Sequence, residues 1–363
     1  MERVSGRQIT LLGAGYVLDA TLMSVPAQII GAAQQDAWLS YIPAMLVILA
    51  VMWMLSRVSQ RFPERDLFAA MIERFSVIGR VLTLLYVLFF FLILVRDLRA
   101  LIDFANITLL PNTPLTVIMI MAVITIIQMS IGGVEIMARM TELIIVPLFV
   151  MIALLPTVLI KDVQIAAITP FLEKGIGDTL QGSWYAIGYI GEVIVIPLLF
   201  TGGTYRFRQG LFALLIGTGT LELLILMNIM VLGPYLSSIS VYPNMELIRQ
   251  IRVTDFLDRF DLPIAAVWLA SMMIKLSISL HVVCHGLKRA VPSLSAQLTV
   301  PPMGLLAGVS AFWFFQNTVQ LLHLNRTWPV IALFFMVALP IVIFLIVRPK
   351  KTKKEAKEVK QAS

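Results

Sequence analysis

Residues 19–26 read Asp19-Ala20-Thr21-Leu22-Met23-Ser24-Val25-Pro26, and residues 188–197 read Gly188-Tyr189-Ile190-Gly191-Glu192-Val193-Ile194-Val195-Ile196-Pro197. Each sets an acid and small residues ahead of a proline inside a long apolar stretch. A proline within a helix removes one i→i−4 hydrogen bond and crowds the carbonyl it would have served. Both stretches therefore predict a helix interrupted part-way along. Prolines at 147, 156 and 340 also fall in apolar stretches, so proline alone marks only a kink. The acid beside each break is what distinguishes these two.

Outward from the breaks, apolar windows of about 20 residues recur at roughly 8–31, 37–57, 80–104, 114–131, 134–160, 180–201, 208–233, 262–286, 302–318 and 327–347. The interrupted stretches are the first and sixth of ten. Two halves of five follow, about 8–160 and 180–347, with corresponding helices broken at matching places. Such paired interruptions point to a ligand site at mid-membrane. No alternating strand pattern is present, so the expected fold class is an all-α polytopic membrane protein with ten spans. Residues 1–347 form its single transmembrane domain, and 348–363 form a basic tail expected to be disordered.

Composition agrees. The 363 residues are 59% hydrophobic and 13% charged, with a mean hydropathy of +0.91. A soluble domain is about 25% charged, so a water-soluble enzyme is excluded. Asp19 and the absence of a cleavage motif argue against a signal peptide at the first span. A single cysteine, Cys284, permits no intrachain disulfide. With both termini inside, 19 basic residues fall on the inner face and eight on the outer, as the positive-inside rule requires. Seven of the inner ones lie in the tail from Arg348. The net charge of +7 thus reflects orientation in the lipid bilayer and needs no nucleic-acid partner. Residues 58–79 interleave charges with Phe62, Leu67, Phe68, Met71, Ile72 and Phe75, the pattern of a short amphipathic helix on the inner face.

Four ionisable residues are expected near mid-span: Asp19, Glu192, Glu222 and Lys275. A charge there costs roughly 2.5–3.5 kcal/mol on insertion scales unless paired, hydrated or neutralised. Lys275 shares a helical stripe with Trp268, Ser271, Ser279 and Gly286, a small and polar face suited to a packed interior. Lys275 is expected to pair with one of the acids. Either a ligand or proton site, or a buried ion pair that only fixes packing, would account for the set. Glu135, Arg139 and Glu142 stand at helical spacing and read as a structural ion network. Arg96, Asp97, Arg99 and Asp103 fall at the outer end of the third span and are expected to snorkel to the surface. His281, Cys284 and His285 lack a third histidine nearby, so no metal site is expected, and no cofactor. Zinc-protease, nucleophile-elbow and P-loop motifs are absent, so an enzyme is not expected.

Several further motifs have a familiar order: Val4-Ser5-Gly6-Arg7-Gln8 before the first span and Leu110-Pro111-Asn112-Thr113-Pro114 before the fourth. Gly133-Val134-Glu135 with Ala138-Arg139 opens the fifth, and Tyr242-Pro243 and then Leu257-Asp258-Arg259 precede the eighth. Together they resemble the spore germination permeases, the B subunits of nutrient germinant receptors, within the amino acid–polyamine–organocation transporter superfamily. The resemblance implies a five-plus-five inverted-repeat fold and a ligand, typically an amino acid, between broken helices 1 and 6. It also implies partner A and C receptor subunits in the spore inner membrane. Carried over by position, Thr21, Ser24, Gly188 and Gly191 would line the pocket with Asp19, Glu192 and Lys275. Lys275 would stand where sodium bridges helices 1 and 8 in other relatives. The expected function is a germinant-sensing, permease-like subunit. The alternatives are a proton-coupled amino acid or polyamine transporter, with Glu222 or Glu192 carrying the proton, and a structural membrane partner.

Overall fold

Ser5 starts the first helix. Its side chain accepts from the Gln8 amide while Gln8 accepts from the Ser5 amide, a reciprocal cap that satisfies two otherwise free donors. The structure is a computed structural model describing residues 4–22, 25–173, 175–251 and 261–347. Helix α1 (Gly6–Thr21) stops short of Pro26, and α2 (Val25–Ala33) takes Pro26 into its first turn. A 3₁₀ segment, Gln34–Ser40, leads into α3 (Tyr41–Gln60). Asp66 then caps α4 (Leu67–Phe75) by accepting the Ala69 amide at 2.8 Å. This is the amphipathic helix anticipated in 58–79. Its apolar face, with Leu67, Phe68 and Met71 buried, packs on α5 (Val77–Thr108).

Next come α6 (Leu115–Ile131), α7 (Gly133–Val158) and α8 (Ile176–Ile190). The second anticipated interruption is a 3₁₀ turn, Gly191–Ile194, before the short α9 (Val195–Leu199). Helix α10 (Phe207–Leu232) is followed by α11 (Pro234–Ile239) and α12 (Pro243–Ile248), each opening on its proline. Helices α13 (Asp261–Ala290), α14 (Ala296–Phe314), α15 (Thr318–Leu333) and α16 (Leu339–Ile346) complete the chain, with a π turn at Phe334–Ala338. Ser24, the Leu257-Asp258-Arg259 motif and the basic tail lie outside the described residues, as does the side chain of Thr21.

Every regular element among the described residues is helical, and seven helices or helix runs are long and apolar enough to cross a membrane. Leu46, Met121, Leu143 and Leu298 stand exposed on the outside of the bundle, where lipid is the solvent. Helix α13 runs through the interior against α5, α6, α7 and α14, while α1 lies along α10 and α7. The α1–α10 contact is close because Gly217 has no side chain: a Cβ there would sit 2.9 Å from Val17 and 3.0 Å from the Ala14 carbonyl oxygen. Without a hydrophobic drive between helices in lipid, such backbone proximity is a main source of packing energy.

One expectation is overturned here. Arg96, Asp97, Arg99 and Asp103 do not reach the surface; each is at most 3% exposed. Helix α5 is 32 residues long, about 48 Å at 1.5 Å per residue. A position that looks terminal on a 20-residue ruler is therefore still well inside it. Arg99 pairs with Asp103 at 2.9 Å and donates to the Phe315 carbonyl at 2.6 Å. Thr318 in turn donates to Asp103 at 3.0 Å, so this pair fastens the α14–α15 connection to α5.

Candidate functional site

Both breaks leave backbone groups that something else must satisfy. Pro26 has no amide hydrogen for the Leu22 carbonyl four residues earlier. The side-chain amide of Asn244, in α12, donates to that carbonyl at 2.7 Å. Asn244 is itself held by Asn228 of α10, whose Nδ2 donates to Asn244 Oδ1 at 2.6 Å. The connection after α10 is thus bonded directly to the broken end of α1. At the second break the Gly188 carbonyl accepts from the Trp328 indole N–H at 2.8 Å.

The charges lie between these points. Lys275 Nζ donates to Glu192 Oε2 at 2.8 Å and also to Asp97 Oδ2. Arg96 donates through Nη2 to Glu192 Oε1 at 2.7 Å and through Nε to Asp97 Oδ1 at 2.7 Å. The four side chains close a ring of alternating charge, with two cations and two anions. Arg96 and Asp97 come from α5, Glu192 from the 3₁₀ turn of the second break, and Lys275 from the middle of α13. The Arg96 guanidinium also lies between the rings of Tyr189, at 4.6 Å, and Trp328, at 4.4 Å. Phe89 stacks on the Trp328 ring at 5.8 Å. Taking each ion out of water carries a penalty of several kcal/mol, recovered only when every charge is paired in good geometry. Each charge in the ring has opposite charges beside it, while Arg96 Nη1 is buried with no hydrogen-bond partner among the described residues, and the ring ties the second break to α5 and α13.

Asp19 stands apart from the ring. Ser271 Oγ donates to Asp19 Oδ2 at 2.7 Å, and Tyr16 and Ser279 share a hydrogen bond of 2.7 Å. Ser271 and Ser279 lie one turn on either side of Lys275, so the anticipated stripe of α13 faces the Tyr16/Asp19 face of α1. Lys275 Nζ is 5.0 Å from the Tyr16 ring centroid. A narrow cavity of about 10 Å³ runs beside this seam, lined by Tyr16, Asp19, Thr141, Ser271 and Lys275 among others. One turn further along, a cavity of about 40 Å³ is walled by Leu22, Phe104, Ile152, Ile264 and Trp268 and roofed by Tyr242 and Asn244.

Of the residues expected at the site, the structure brings Asp19, Glu192 and Lys275 into one buried region. Gly188 and Gly191 are instead helix contact points. A Cβ at Gly188 would meet Pro329 at 3.2 Å, and one at Gly191 would meet the Met336 sulfur at 2.6 Å. Neither lines the two cavities. Glu222 lies half-buried on α10, with no hydrogen bond or ion pair among the described residues. The expected Glu135–Arg139–Glu142 network is split. Arg139 pairs with Glu135, while Glu142 accepts from Arg7 at 3.2 Å and Gln8 at 3.3 Å at the start of α1. A packing contact between α7 and α1 thus replaces the i,i+3 pair within α7. Lys275 pairs with two acids rather than one, and the second, Asp97, was read as a surface residue. Asn244 and Trp328 carried no signal beyond a proline next to each.

His285 lies 3.2 Å from Asp66 Oδ2, and Arg289 pairs with the same oxygen. Burial pushes the Asp66 carboxyl up. The hydrogen bond and charge of His285, the Ala69 amide and Arg289 outweigh it and hold Asp66 below the usual carboxylate range.

A family model described as Spore germination protein matches residues 3–319. YfkT of Bacillus subtilis (strain 168), described as a candidate spore germination protein, is 34% identical over 350 residues, covering 96% of this chain and 98% of its own. Spore germination protein KB of the same strain is 24% identical over 375 residues, covering 99% and 98%. Among solved structures, Mhp1, a nucleobase–cation-symport-1 family transporter in a closed conformation with bromovinylhydantoin bound, aligns with a TM-score of 0.60. It does so at 15% identity, covering 96% of this chain and 82% of that one. A manganese transporter of Eremococcus coleocola aligns with a TM-score of 0.52 at 14% identity, covering 94% and 78%. These likenesses at low identity establish the fold alone. With its family model and both relatives running through nearly its whole length, the chain belongs to the spore germination protein family and has the fold of helical membrane transporters.

Proposed function

We propose that the chain is the germinant-sensing, permease-like subunit of a spore nutrient receptor. It binds a small nutrient, an amino acid by class, at mid-membrane beside the break of α1. Ten spans arranged as an inverted five-plus-five repeat, with both termini cytoplasmic in the spore inner membrane, make the two breaks symmetry mates. Larger A and lipoprotein C subunits read the conformation of the α1/α8 core. The observation that carries the proposal is the juxtaposition of two broken helices with a closed, neutral ring of buried charge. Nutrient binding that loosens or tightens the α1–α13 seam against that ring shifts a population between conformations.

Deletion of the gene, followed by germination assays of the spores on individual amino acids, tests it. Loss of response to one nutrient, restored by the intact gene, is expected. Normal germination of the deletion strain on every nutrient would overturn the proposal.

The transporter alternative draws support from Glu222, a half-buried carboxylate without a partner among the described residues, which would be the proton carrier. Uptake of an amino acid into proteoliposomes, driven by a pH gradient and abolished by Glu222→Gln, is its signature. Its absence removes that reading and leaves the sensor.

A further inference from the structure

Helices α3 and α16 pack together and frame a groove of about 460 Å³, lined by Trp53, Arg57, Gln60, Arg61 and Phe344. Trp53, Arg57 and Gln60 stand at i, i+4 and i+7 on α3, which sets them on one face. Arg61 follows at the helix end, and Phe344 comes from α16. The Arg57 guanidinium lies 5.4 Å from the Trp53 ring centroid, and the Arg61 guanidinium lies 5.5 Å from that of Phe344. The two rings are themselves 6.0 Å apart. Stacking occupies the face of a guanidinium and leaves its in-plane N–H donors free. Arg61 spends Nη1 on the Val347 carbonyl. Arg57 makes no hydrogen bond or ion pair among the described residues, and no carboxylate lines the groove. Two cations thus share one cleft without a counter-charge, their donor forks held open on an aromatic platform. Such forks match the oxygens of a phosphate.

The position of the groove says where that phosphate comes from. Leu46, Trp53, Leu345 and Ile346 are exposed apolar side chains along these two helices. Directly after Val347 the sequence turns to Arg348-Pro349-Lys350-Lys351-Thr352-Lys353-Lys354. A change from lipid-facing carbon to dense positive charge marks the edge of the bilayer, where tryptophan sits at headgroup level. We propose that the groove binds the phosphate headgroup of an anionic phospholipid. Arg57 and Arg61 donate to the phosphate oxygens, Gln60 donates through its side-chain amide, and the acyl chains run along the apolar face past Trp53 and Ile346. The lipid supplies the missing counter-charge and bridges α3 to α16. The basic run that begins beside the groove gathers anionic lipid by long-range attraction; the groove adds directed contacts. The inference does not depend on nutrient binding.

The test titrates the full chain in detergent micelles with dioleoylphosphatidylglycerol, dioleoylphosphatidylcholine or inorganic phosphate and counts bound molecules by native mass spectrometry. Phosphatidylglycerol should bind at least about fivefold more tightly than phosphatidylcholine, the scale of one basic side chain at an anionic surface. Inorganic phosphate at the same concentration should not displace it. Arg57→Gln breaks no bond within the chain and should weaken phosphatidylglycerol binding by about fivefold. Arg57→Gln with Arg61→Gln should weaken it by more than about tenfold, while Lys353→Gln with Lys354→Gln, the same change of charge in the basic run, should cost less than about threefold. Trp53→Leu keeps both cations, removes one platform and should weaken binding as well. Equal losses from the two double variants would show diffuse attraction and overturn the groove. Phosphatidylcholine bound as tightly as phosphatidylglycerol overturns the anionic headgroup, and inorganic phosphate bound as tightly as the lipid overturns the lipid as its source.

Discussion

Replacing Lys275 by Met removes one cation from the buried ring and leaves Arg96 alone against Asp97 and Glu192. At the 2.8 Å separation of Lys275 Nζ and Glu192 Oε2, the Coulomb attraction is about 6 kcal/mol at an effective dielectric of about 20. Desolvation of the two ions offsets several kcal/mol of that. The informative quantity is what remains after one partner goes. An uncompensated buried carboxylate costs about 3–5 kcal/mol, and Glu192 and Lys275 are both at most 1% exposed, so water does not reach in to relieve it. Lys275→Met alone should therefore destabilise the protein by about 3–5 kcal/mol, and Glu192→Gln alone by a similar amount. The double variant restores a neutral set, with Arg96 facing Asp97. Its loss should fall short of the sum of the two single losses by at least about 2 kcal/mol. Unfolding in mixed micelles, followed by tryptophan fluorescence and run as a double-mutant cycle, measures that coupling. Losses that add within about 0.5 kcal/mol would show that the two charges do not depend on each other and would refute the ring as described.

Three further outcomes are expected. Asn244→Ala strands the Leu22 carbonyl beside Pro26 and should lower stability by about 1–3 kcal/mol; Asn244→Asp, which cannot donate when ionised, should do the same, while an unchanged midpoint in both would place the carbonyl's partner elsewhere. Trp328→Phe keeps a ring against Arg96 but removes the donor to Gly188, so about 1 kcal/mol should be lost, with faster hydrogen exchange near the second break as the local readout. At the start of α4, Asp66 has a depressed pKa when folded, so its charge stabilises the fold above the unfolded carboxylate pKa of about 4 and ceases to do so as pH falls through the folded value. Asp66→Asn, which retains the cap on α4, should lie about 1 kcal/mol below the parent at pH 7, the modest size reflecting the partial exposure of Arg289. The gap should close in thermal scans below about pH 4; a gap that persists there is not electrostatic.

The helices were legible because lipid permits few alternatives. Long apolar runs must bond their backbone internally, and the prolines at 26 and 197 mark where that bonding fails. The stripe from Trp268 to Ser279 also carried its message, since a polar face on an apolar helix has to meet other polar groups. The failures lie where one-dimensional spacing ends. Arg96 and Asp97 fell at the edge of an apolar window, and only the length of α5 and its packing on α13 place them beside Lys275. Asn244 is one of several polar residues in the connection after α10. Its importance arises from a contact across 222 positions of chain with Leu22, which no local pattern encodes. Gly188 and Gly191 were read as pocket lining, although a glycine that admits a neighbouring side chain and one that admits a ligand look alike in sequence.

Pro26 has a consequence for motion. A segment that melts and reforms stores its two states in the making and breaking of backbone bonds. Here the bond between residues 22 and 26 can never be made, because the nitrogen at 26 carries no hydrogen. That backbone bond is therefore missing in every state of the protein, and the Asn244 side chain stands in for it. Among the described residues, the Leu22 carbonyl is clasped from the side by Asn244. Whatever moves the connection that carries Asn244 thus acts directly on the end of α1.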